Sequence, residues 1–168
     1  MKIIQKGTTL LLLLTLAACS TNAVTIDKIS DQVATQGARN YLNSTINNHD
    51  VWFAHVDVLQ QGLISGNDKA LEVLAKLRTV SDAGASTTID FMVARAIPDN
   101  PRIVSKSVEC GFRLDAICNI PFIEEEQAVV DKYISETRAA LKRRESDGDM
   151  LAGKCFDILE SRTTRTAE

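Results

Sequence analysis

Past the first twenty residues, the side chains of this 168-residue chain best equipped for chemistry are three thiols, two imidazoles and one run of carboxylates. The thiols are Cys110, Cys118 and Cys155. Seven and 36 residues separate them, and no Cys-x-x-Cys pair occurs, so the spacing matches neither a paired-ligand zinc motif nor a dithiol redox motif. His49 and His55 flank Asp50 and Asp57, which reads as a loop histidine and a helix-side histidine, not a ligand pair. No metal site is expected. Glu124-Glu125-Glu126 sets carboxylates side by side, as general acid and base work requires. On an exposed first helical turn they would instead serve the positive end of the helix dipole. Asp82-Ala83-Gly84-Ala85-Ser86 resembles a nucleophile loop at a glance, but reads better as a glycine helix stop followed by an N-cap. There is no Gly-x-Ser-x-Gly turn, phosphate-cradling glycine loop or His-Glu-x-x-His. No catalytic residue and no cofactor is assigned.

Helices must position these groups, because from Ile26 onward the apolar period is three to four residues and no stretch alternates with period two for long. Ile26, Ile29, Val33, Gly37, Tyr41 and Leu42 predict a first helix near 27–46, closing in Asn47-Asn48-His49-Asp50. Trp52, Val56, Leu59 and Leu63 predict a second, ended by Ser65-Gly66-Asn67. Trp52 faces its core side, and Phe53 points elsewhere as a candidate contact residue. Asn67 or Asp68 caps a third helix carrying Leu71, Leu74 and Leu77. Ser86 or Thr87 caps a fourth, with Ile89, Met92, Val93, Ala96 and Ile97, which must stop by Pro98. Asn100-Pro101 opens a fifth with Ile103, Val104, Ser107 and Val108. Residues 110–121 show no period. A long helix is expected over 123–144, with Ile123, Val130, Tyr133 or Ile134, Thr137 and Leu141 on its inner face. Ser146-Asp147-Gly148 turns the chain into a last helix with Leu151, Cys155, Ile158 and Leu159, and 162–168 frays as a flexible tail. The fold class is all-α: six or seven helices over 26–161, in an irregular bundle or a short stacked-hairpin array of solenoid type.

The N-terminal segment has a separate role. Lys2 and Lys6, the apolar run Leu10 to Leu14 with Leu16, and the small residues Ala17 and Ala18 form an export signal too short to span about 30 Å of hydrocarbon. Leu16-Ala17-Ala18-Cys19 resembles the lipobox of bacterial lipoproteins at all four positions. The resemblance implies removal of residues 1–18, diacylglycerol on the Cys19 sulfur and acylation of its new amino terminus. Several acyl chains hold a protein to a membrane lastingly, each buried methylene contributing about 0.8 kcal/mol. Ser20, where the family's inner-membrane members carry Asp, implies the outer membrane, with the domain facing the periplasm. Residues 19–25 form the tether. In an exporting compartment disulfides persist, and with Cys19 lipidated an odd number of thiols remains. Joining Cys118 to Cys155 closes a loop of about 38 residues, worth roughly 4 kcal/mol by chain entropy, and would fasten the last helix. Joining Cys110 to Cys118 closes about nine residues, for roughly 2.6 kcal/mol. The first pairing is favoured, leaving Cys110 as a free thiol.

Removing residues 1–18 leaves 150 residues with 17 basic against 22 acidic side chains, an acidic domain that does not suit binding to nucleic acid. At 45% hydrophobic residues the chain has the means for a core and is not disordered. Two functional classes follow. The first is a non-catalytic envelope lipoprotein that binds a protein partner, as adaptor, assembly factor or inhibitor; Lys154-Cys155-Phe156-Asp157 resembles a segment of amidase-immunity proteins. The second is an envelope enzyme or small-ligand binder with a site built from scattered polar residues.

Overall fold

Nine helices and no strand occur among residues 23–165, the part described by the computed structural model. They are α1 (Ile26–Gln36), α2 (Ala38–Ile46), α3 (His49–Ile64), α4 (Asp68–Arg78), α5 (Ala83–Ala96), α6 (Ile103–Glu109), α7 (Leu114–Ile117), α8 (Gln127–Ser146) and α9 (Met150–Arg165). The chain is all-α, with more helices than the six or seven expected. Most helices pack on elements beyond their sequence neighbours, α1 on α3 and α4, α3 on α5 and α6 on α9, so the helices form a bundle and not a stacked array. The signal at 1–18, Cys19 and the end of the tail at 166–168 lie outside the described residues.

The extra elements arise where the apolar period runs across a break in the backbone. The single helix expected over 27–46 is two, because Gly37 adopts a φ of 79°, a left-handed conformation that ends α1 and starts α2 at once. Asn48 caps α3 by accepting from the Val51 N–H, so His49 opens a helix and is not a loop residue. Asn67 caps α4, accepting from the amides of Lys69 and Ala70. The next helix begins earlier than Ser86 or Thr87: Asp82 accepts from the Ala85 N–H at 2.9 Å, which puts Gly84 inside the first turn. Asn100 caps nothing by its side chain. Its Nδ2 donates instead to the Leu63 carbonyl at 2.8 Å, closing the last turn of α3, and α6 starts only at Ile103. Residues Arg162 to Arg165, expected to fray, continue α9, where Arg138 Nη2 of α8 donates to Thr163 Oγ1 at 3.2 Å.

The core lies among α1, α3, α4 and α5. Ile29, Leu59, Leu63, Leu74, Leu77 and Ile89 are closed to solvent there, each contributing roughly 1.5–3 kcal/mol of transfer free energy. Close helix approach depends on Gly62, where an added Cβ would sit 2.6 Å from Ile26 Cδ1 and 2.8 Å from Ala70 Cβ. Arg78 grips Asp90 through two bonds, at 2.6 and 3.0 Å, and lies over the Phe112 ring at 5.5 Å, tying α4 to α5 and to the turn before α7. In the C-terminal half, α8 packs chiefly along α9. Asp149 fixes that hairpin to the rest: it accepts from Ser105 Oγ of α6, from Arg144 Nη2 of α8, and from the amides of Leu151 and Ala152 that open α9.

Candidate functional site

The single turn of α7 ends at Cys118, whose sulfur is at bonding distance from that of Cys155 in α9, with the two Cα atoms 5.3 Å apart. The chain then runs as a loop from Asn119 to Glu126. Its first half is clamped from behind. Arg95 of α5 donates from Nε at 3.1 Å and Nη2 at 2.9 Å to the Pro121 carbonyl, and its guanidinium lies 5.5 Å from the centre of the Phe122 ring. Phe122 meets Tyr133 of α8 edge to face at 5.3 Å. The Tyr133 hydroxyl is shared between the carbonyls of Ala94 and Asn119, at 3.1 and 3.2 Å, and burial pushes its proton affinity well above that of an ordinary phenol.

The second half projects. Ile123 is 73% exposed, the reverse of the inner-face position expected of it. Glu124 holds a φ of 60°, a left-handed value unusual for a residue with a side chain. Glu124, Glu125 and Glu126 are exposed and precede α8 without belonging to its first turn, and Glu126 makes no side-chain cap bond. Beside this knuckle is a cavity of about 480 Å³. Ile120, Phe122, Val130 and Ile134 give it an apolar wall; Asn119, Glu124, Glu125, Gln127 and Arg162 of α9 complete the lining. Arg162 also acts on Asp115, whose carboxyl is held below its usual range mainly by its bond from Arg113.

The other residues singled out in the sequence are not brought together. Cys110 ends α6 as an exposed free thiol. Partial burial, reinforced by Glu72, Glu109 and Asp68, raises its proton affinity, which makes it a poor nucleophile. Neither histidine lines the hollows beside Cys110. His55 is buried, its Nδ1 bonded to the Tyr41 hydroxyl, and burial lowers its proton affinity. His49 is exposed and meets the Phe53 ring edge to face at 6.1 Å. Trp52 packs partly buried on the core, whereas Phe53 is 59% exposed. Asp82 is an N-cap and Ser86 bonds Ser81, so that segment is not a nucleophile loop. Among the described residues no group of three His, Cys, Asp or Glu could hold a metal ion, and no helix is long and apolar enough to cross a membrane.

Arg95 and Tyr133, which shape the knuckle, carried no functional signal in the sequence; Arg95 reaches a partner 26 residues away. No protein-family model matches the chain, and no curated protein or solved structure matches it either.

Proposed function

We propose that this chain is a non-catalytic envelope lipoprotein, anchored through Cys19, whose helical domain binds a protein partner. The observation that carries the reading is the knuckle: a loop held through Asn119, Pro121 and Phe122 by Tyr133 and Arg95, directly after which the bulky apolar side chain of Ile123 stands in solvent. Exposing such a side chain on a mobile loop costs little, but fixing it there brings no benefit to folding. Rigid presentation lowers the ordering cost of association, which suits a docking element. The anchoring part rests on Leu16-Ala17-Ala18-Cys19.

Affinity purification of the full chain from detergent-solubilised envelope tests the binding reading. A stoichiometric protein partner is expected; a co-purifying small molecule with no protein would overturn it. Metabolic labelling with a radioactive fatty acid tests the anchor, and incorporation that survives Cys19→Ala would exclude Cys19 as the attachment point.

A further inference from the structure

Building on the protein-binding reading, we infer that the cavity beside Ile123 receives a short partner segment in which a bulky aliphatic or aromatic residue is flanked by Lys or Arg. Within a lining that is otherwise polar and charged, the wall formed by Ile120, Phe122, Val130 and Ile134 gives one apolar side chain a surface to bury on. A volume of about 480 Å³ lies within the range of roughly 300–1,000 Å³ typical of ligand pockets, enough for the side chains of a few residues and too small for a whole domain edge. Ile123 stands beside the opening as a second apolar contact.

The charge around the opening sets the flanking residues. Glu124 and Glu125 line it, and Glu126, also exposed, follows them in the chain. The cation on the wall, Arg162, has Asp115 in its field. Carboxylates therefore dominate the rim, and the net acidity of the chain extends the same field outward, favouring approach of a basic segment. An acidic segment, drawn instead to Arg162 and the start of α8, would face Glu124 and Glu125 at contact distance.

Photocrosslinking in the source bacterium tests this with the full chain. p-Benzoylphenylalanine is placed at Ile123 and, in a second strain, at Phe53 of α3, and the captured peptides are sequenced. From position 123 the expected product is a segment with Lys or Arg within three residues of Leu, Ile, Met, Phe or Trp. Its yield should drop about tenfold with Glu124→Lys plus Glu125→Lys, and by a smaller factor with the charge-neutral Glu124→Gln plus Glu125→Gln. Capture of an acidic segment, or a yield unchanged by charge reversal, overturns the inference. Crosslinks from position 53 alone overturn it too while leaving the protein-binding reading intact, and no protein captured from either position removes both.

Discussion

Arg95 and Pro121 face each other across a boundary between α5 and the loop that follows α7, and two N–H groups of one guanidinium converge on one carbonyl oxygen. Pro121 is buried and its carbonyl lacks any helical partner, so the clamp satisfies a backbone group that would otherwise have none. Arg95→Ala should cost about 1 kcal/mol of stability, the modest figure reflecting how exposed the arginine is. Its larger effect should be on partner capture, because the knuckle loses its support. Arg95→Lys cannot make the paired contact and should rescue neither. Urea denaturation together with the crosslinking yield at position 123 reads both effects; a variant that retains full capture would show the clamp to be irrelevant to docking.

The Cys118–Cys155 link spans 37 positions of sequence. Replacing both cysteines by serine should lower stability by roughly 4 kcal/mol on the chain-entropy relation. The double variant avoids leaving a lone buried thiol. Peptide mapping of the unreduced protein is the direct check, and a Cys110 to Cys118 peptide would show that the bond has been assigned to the wrong pair.

Burial lowers the proton affinity of His55, and the Tyr41 hydroxyl bonds its Nδ1. The folded-state affinity is lowered relative to the unfolded chain, so this residue supports stability fully above about pH 6.5, and its contribution declines as pH falls through the lowered folded value. An NMR titration should find His55 still neutral at pH 6.5. Tyr41→Phe should cost about 1 kcal/mol near neutrality, since the ring packing survives and only the hydrogen bond goes. Half-protonation at or above pH 6.5 would contradict this account.

Asp149 responds to acid in the same direction for a different reason. Burial alone would raise its proton affinity, but Ser105, the Ala152 amide and Arg144 outweigh burial and hold the carboxyl below its usual range. The stability it gives is present above about pH 4 and lost as pH falls through the lowered value. Asp149→Asn should cost about 2 kcal/mol at neutral pH, with the gap to the parent protein closing in acid. Denaturation midpoints measured from pH 7 to pH 2 follow the gap; one that stays constant across that range would mean that Asp149 acts by packing alone.

Part of the local chemistry was legible in the sequence. The helical period, the Asn67 cap, the stop before Pro98 and the turn at Ser146 to Gly148 all depend on residues within a few positions of one another. Two local caps were missed, Asn48 for α3 and Asp82 for α5, and other errors came where a distant partner intervened. Asn100 has the side chain of a cap, but the Leu63 carbonyl, 37 positions away, claims it. Ile123 lies in register with the apolar face of α8, yet α8 begins only at Gln127, after a loop anchored at Pro121 by an arginine from another helix. Periodicity has no means of registering that anchor. Gly37 shows the remaining kind of miss: a glycine on an apolar face is compatible with a continuous helix or a break, and only its backbone angle separates the two. The candidate site was therefore partly visible as composition, in Glu124 to Glu126, and invisible as shape.

With the anchor proposed at Cys19, the place of the disulfide has a mechanical consequence. Tension between membrane and a gripped Ile123 would run along the backbone through α1 to α7, and α8 and α9 would hang as a side branch beyond it. The covalent link joins that branch at Cys118 and lies off the line of pull. By constraining the unfolded chain it would add stability against denaturation, but it carries none of this pull. Resistance to a tug would come from the packing among α1 to α7, such as the seating of α1 against α4, and from the Arg95 clamp.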